Sequence, residues 1–152
     1  MIFETGPYIK AALFCEKVLK EADGVLSLIR VVDRVAIRAS GPNAPAEIPK
    51  FAFETNAVIL LTAGQGRGRH EVKFEPEQPD GQKKPPFSAS VLLEGEERTA
   101  NVVIKMKLKL EMEGVYWFNV LLDDELLARI PLRVVYSRSS GVSPSAPGGS
   151  EN

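Results

Sequence analysis

The chain has one cysteine and one histidine in 152 residues. Cys15 alone cannot form an internal disulfide, so a small secreted scaffold held by bridges is excluded and a reducing compartment is the simpler expectation. One thiol and one imidazole cannot fill a tetrahedral zinc site without two carboxylates recruited from elsewhere, so no metal or cofactor is expected. Any triad needing a base has only His70 to draw on. Net charge is also nearly absent: 19 Lys and Arg stand against 20 Asp and Glu. Without a net field to draw the chain onto polyanions, nucleic acid is not an expected partner.

Long apolar runs are missing too. Lys10, Glu16, Lys17 and Lys20 interrupt the apolar residues between Pro7 and Ala22, so no secretory leader is expected there. No stretch approaches the roughly 18 apolar residues that a membrane helix needs. A cytoplasmic address is the resulting expectation.

What is present is ordinary globular composition, with 44% hydrophobic and 26% charged residues. Residues 1–136 are expected to form one domain with its own core. Residues 137–152, SRSSGVSPSAPGGSEN, hold Val142 as their one large apolar side chain and are expected to be a disordered Ser/Pro/Gly-rich tail.

The strongest local pattern is IKMKLKLEME from Ile104 to Glu113, where apolar and charged residues alternate strictly. Period two over this length means a strand with one wet and one buried face. Gly114 ends it, and the apolar run Val115–Leu122, the acidic turn Asp123-Asp124-Glu125 and Leu126–Val135 read as a hairpin. Pro131 has no N–H, so its strand should lie at an edge there or break. Val25–Ile37 reads as one long strand, allowing for a bulge, and Ile9–Phe14, Val58–Thr62, His70–Glu75 and Phe87–Leu93 as shorter ones. Cys15–Ala22 reads as one short helix stopped by Asp23-Gly24. Turn formers crowd Gly41–Pro49, Ala63–Gly68 and Glu75–Pro86. The expected fold is therefore mostly β: an antiparallel sandwich of seven or eight strands with at most one short helix.

Four constellations could carry chemistry. Arg67, Arg69 and His70, in a Gly-rich stretch, could contact a phosphorylated ligand or a partner; a strand follows them instead of a helix, so neither a dinucleotide fingerprint nor a P-loop is present. His70 is placed on the outward face of its strand. Asp33 falls on the apolar parity between Val31 and Val35 and would need a buried polar network if the strand ran on regularly. Lys105, Lys107 and Lys109, with Arg30, Arg34 and Arg38 should their strands lie adjacent, would form a basic stripe, read first as a solvated face. Asp123-Asp124-Glu125 lacks the spacing of a calcium loop and reads as a turn. No catalytic residue is assigned.

Gly114-Val115-Tyr116-Trp117-Phe118 resembles the Gly-x-Tyr-x-Cys segment of immunoglobulin-like domains, with Phe118 where the cysteine would stand. The resemblance implies a tyrosine-corner hydrogen bond from Tyr116 and aromatic packing in place of the inter-sheet disulfide. More widely, ALFCEKV, GVLSLIRVVDRV, RASGPNAP, GRGRH, PDG and GVYWFNVLLDDELLARIPLRVVY resemble an uncharacterised bacterial family of small single-domain proteins, a domain of unknown function. That resemblance implies a cytoplasmic β-sandwich and carries no activity. The expected function is a non-catalytic protein-interaction or ligand-binding module acting through its turn-rich loops or an unpaired edge strand, with another protein or a second copy as partner. A structural or assembly subunit, phage-type or defence-associated, and a phosphate or nucleic-acid binder using the Gly/Arg loop are the alternatives.

Overall fold

Alternating sequence becomes two stacked sheets. The structure, a computed structural model, describes residues 5–139. Its strands are β1 (Tyr8–Lys20), β2 (Leu26–Val32), β3 (Arg34–Ala39), β4 (Phe51–Thr62), β5 (Arg67–Glu77), β6 (Phe87–Glu94), β7 (Thr99–Leu110), β8 (Gly114–Leu122) and β9 (Glu125–Arg138). One sheet has the order β2-β1-β4-β7 and the other β3-β9-β8-β5-β6. With β1, β4 and β7 read as A, B and E, and β5, β6, β8 and β9 as C, C′, F and G, this is the immunoglobulin-like arrangement. β3 pairs with β9 in parallel and every other ladder is antiparallel.

The core lies between the sheets and takes the inward parity of both. At its centre Phe14 of β1 meets Phe118 of β8 with ring centroids 4.8 Å apart and Phe74 of β5 at 5.6 Å, both edge-on, while Phe74 and Phe118 lie 5.5 Å apart. Such pairs add about 0.5–1.5 kcal/mol each beyond area burial. Phe118 and Phe74 stand on the F and C strands, where a disulfide half and a tryptophan sit in antibody domains, so aromatic contact bridges the sheets here. The tyrosine corner is also present: Tyr116, 3% exposed, accepts hydrogen bonds at Oη from the Glu111 amide (3.1 Å) and the Met112 amide (3.4 Å). Tyr116→Phe should cost about 1–2 kcal/mol by urea unfolding, because two part-buried amides lose their acceptor. An unchanged midpoint would show that water replaces the hydroxyl.

Three expectations are corrected. Cys15–Ala22 is not helical: it completes β1, and no helix occurs among the described residues. An isolated helix of this length is marginal, and pairing of Lys17 with Ile29 and Val18 with Leu28 satisfies the same backbone. Asp23-Gly24, read as a helix stop, turns the β1–β2 hairpin, with Gly24 at φ 90° and the Val25 amide donating to Asp23 Oδ1 at 3.1 Å. Second, Val25–Ile37 is two strands. The chain bends at Asp33 and crosses from the edge of one sheet to the edge of the other. Asp33 is therefore exposed at the bend and anchors no buried network. Third, β9 continues past residue 136, since Ser137 and Arg138 pair with Arg38 and Ala39. The rest of the expected tail, residues 140–152, lies outside the described residues.

Pro131 sits as anticipated. It faces Trp117 of β8, while the β3 ladder begins only at Arg133, so β9 has a free side where the N–H is missing.

Candidate functional site

Arg67, Arg69 and His70 all lie on β5, but they do not converge. Arg67 and Arg69 are exposed and make no ion pair among the described residues. His70 shares the inward parity of Val72 and Phe74, contrary to the outward placement expected. It lies near the end of the sheet, half-buried, where its Nδ1 meets the Asp123 carboxylate and its Nε2 donates to the Arg67 carbonyl at 2.9 Å. The acidic turn supplies that carboxylate. Asp123 and Asp124, at φ 47° and 69°, are the central residues of the two-residue β8–β9 hairpin. Asp123 also accepts the Glu71 amide at 2.9 Å, and Asp124 accepts Lys73 Nζ at 2.9 Å.

Both partners of His70 are acceptors, so the doubly protonated ring satisfies them best. The Asp123 hydrogen bond raises the His70 pKa against the opposing effect of burial, and the Arg67 carbonyl adds to the rise. Asp123 is held below the usual carboxylate range, first by the Glu71 amide and then by His70. A raised histidine stabilises the fold fully below its unfolded pKa and loses this as pH climbs through the folded value; a lowered aspartate stabilises above its unfolded pKa and loses this as pH falls through the folded value. The pair is thus worth most between about pH 4 and 6.5. Exposure of Asp123 limits it to about 1 kcal/mol or less. Melting curves from pH 5 to 9 should show wild type losing stability relative to His70→Ala, and parallel curves would remove the pair as the cause.

Arg69, His70, Ser88, Ser90 and Asp123 border an open depression of about 550 Å³, with Glu71 beside them. Two carboxylates there oppose an anion. Two amides of the Gly-rich turn are also already committed: Gln65 N–H donates to Thr5 O (2.8 Å) and Gly66 N–H to Ala63 O (2.8 Å). Gly64, at φ +57°, is required by close packing, since a Cβ there would lie 2.4 Å from Thr5 O. Cys15 lies in the opposite sheet, buried, its thiol 3.6 Å from the Lys17 carbonyl; burial pushes that thiol's pKa up. The basic stripe is divided as well: Arg30 pairs with Glu16 at 2.7 Å, while Arg34 and Arg38 belong to the other sheet.

A better-built site lies where the two sheets open at their β6 and β7 edges. A groove of about 360 Å³ has one wall formed by consecutive β7 residues from Lys107 to Leu110 and by Glu111. Its other wall is Lys84, Pro85, Pro86 and Phe87, and Pro76, Gln78 and Tyr116 complete it. The apolar contribution comes from Leu108, Leu110, Phe87 and the prolines. Lys84, Lys107 and Lys109 make no ion pair among the described residues.

Gln78 is the unusual member. Three polar residues are buried among the described residues: Thr55, Gln78 and Asn119. Thr55 donates to Cys15 O at 3.1 Å. Asn119 donates to Glu75 at 3.0 Å and accepts from Arg129 at 3.0 Å, and Arg129 continues to Glu77 and stacks 4.6 Å over Trp117. Gln78, 3% exposed, uses its backbone in the Gln78–Gln82 turn, but its carboxamide has no partner among the described residues. A buried amide left unpaired costs about 1–3 kcal/mol, so it needs a reason. Sequence reasoning marked Glu75–Pro86 as a contact loop without singling out Gln78, because nothing local distinguishes a buried loop glutamine from a solvated one.

Residues 10–135 match a family of unknown function, DUF6941. The chain belongs to that family. DUF6941 thus matches the resemblance seen in the motifs, and the match spans β1 through most of β9. No curated protein matches the chain. Among solved structures, it is similar to the CARDB domain of a Pyrococcus furiosus protein in complex with di-metal ions (16% identity, TM-score 0.43, 89% of this chain and 93% of that one). It is also similar to an immunoglobulin-like protein from Pseudomonas aeruginosa (15%, TM-score 0.40, 85% and 96%). A third is the Pseudomonas fluorescens alkylpurine DNA glycosylase AlkC bound to DNA containing an abasic site analog (9%, TM-score 0.42); the match covers 82% of this chain and 30% of the glycosylase.

Proposed function

We propose that this DUF6941 protein is a non-catalytic binding module whose ligand occupies the groove between the β6 and β7 edges. The observation that carries this reading is the buried Gln78 carboxamide, unpaired among the described residues and lining an apolar groove. A concave apolar site with a few convergent polar groups is the usual form of a recognition pocket. Its sides are strands and a proline-stiffened segment, so it is formed before any ligand arrives and little ordering entropy is lost on binding.

The reading is tested by titrating the 15N-labelled protein with a fragment library and following amide and side-chain NH₂ signals. Hits that shift the Gln78 side chain together with Leu108 and Phe87 are expected. Hits confined to the Arg69–Asp123 depression, with the groove silent, would overturn it.

A further inference from the structure

The groove has a free strand for a wall. Among the described residues β7 pairs only with β4, so one alternate set of its N–H and C=O groups points away from the sheet along the groove. The segment across from it cannot close the gap, because Pro85 and Pro86 have no N–H to donate, and β6 begins only at Phe87 and pairs with β5. An unpaired edge beside an apolar slot suits strand addition.

The side chains of β7 then determine what kind of strand fits. A chain added to its edge would present alternate residues to the two faces of the sheet. On the inner face they would meet Leu108, Leu110 and Phe87, with Gln78 ready to exchange hydrogen bonds with a polar group of the incoming chain. On the outer face they would lie beside Lys105, Lys107 and Lys109, where directly opposed charges of opposite sign stabilise and like charges destabilise. A second copy of β7 aligned over Lys105–Lys109 would set lysine against lysine, which disfavours self-pairing in that register. Residues 140–152 carry Glu151 as their one acidic side chain and lack the alternation, so the chain's own C-terminal residues do not fit either.

We infer that the groove accepts an extended segment of a partner protein, alternating apolar and acidic residues, which adds as a strand to the Lys107–Leu110 edge of β7. This rests on the groove being the binding site, and the test separates the two claims. The full chain, 15N-labelled, is titrated with an acetylated octapeptide alternating valine and glutamate, with its valine–lysine counterpart, with the acidic peptide N-methylated at alternate residues, and with decanoate. The acidic peptide is expected to shift Lys107–Leu110 and the Gln78 side chain. The double variant Lys107→Glu, Lys109→Glu should weaken it at least about tenfold, since opposed pairs become like-charged. The N-methylated peptide should lose binding at least tenfold because it cannot complete the ladder.

Equal binding of the lysine peptide, or of the N-methylated one, overturns the inference. Decanoate shifting Gln78 and Leu108 while no peptide binds would leave the groove as a site and remove the strand-addition claim. Silence of the groove toward every probe would remove both.

Discussion

Phe118→Ala is expected to lower the unfolding free energy by about 3–5 kcal/mol, the range for deleting a buried aromatic ring. Phe118 is fully buried and touches both Phe14 across the sandwich and Phe74 on the neighbouring strand, so its loss leaves a cavity bounded by rings from both sheets. Strands bound by ladder hydrogen bonds resist closing such a gap. Natural domains are stable by about 5–15 kcal/mol, so the variant would lie near the limit of folding at ambient temperature. Phe118→Leu, which keeps most of the volume, should cost less than about 2 kcal/mol. Urea unfolding followed by circular dichroism measures both. A loss below about 1 kcal/mol for the alanine variant would mean that the three-ring cluster is not what holds the sheets together.

Gln78→Leu is expected to act in the other direction, raising stability by about 1–3 kcal/mol, because it removes an amide desolvated without a partner and puts an apolar side chain of comparable bulk in its place. Few substitutions of a buried residue stabilise. The gain should accompany weaker binding in the groove, since a site built to hydrogen-bond a ligand group keeps that capacity at the expense of the free protein's stability. Thermal unfolding of the free variant and fragment titration under the same conditions test the two halves together. Destabilisation would mean that the carboxamide is already satisfied, by water or by rearrangement, and would take away the main support for the groove.

Much of the fold was legible because period two is a strong signal wherever one face is dry. β7 announced itself through Lys105, Lys107 and Lys109 alternating with Met106, Leu108 and Leu110, and every second residue from Val102 to Leu110 is buried. The β8–β9 hairpin followed from two apolar runs around Asp123-Asp124, and Pro131 marked the side of β9 left without a partner. Tyr116 and Phe118 were legible by resemblance, and both take the expected roles. The site was less legible. Arg67, Arg69 and His70 were chosen for chemistry carried by neighbouring positions, yet the pleat sends His70 to one face and the two arginines to the other.

Residue types and their alternation were enough to determine that most segments are extended and which side of β7 is apolar, but not the extended state of Cys15–Lys20 or the face that carries His70. Beyond the β8–β9 hairpin, pairing partners were decided by the tertiary structure, since a ladder hydrogen bond carries no side-chain identity. That is why Cys15–Lys20 became strand instead of helix, why Asp33 became a crossing between sheets instead of a buried charge, and why Asp123, distant in sequence, is the partner of His70. It is also why Gln78 and Lys107 line one groove: a gap between two sheets exists only once both are assembled, and no local pattern in either segment records it.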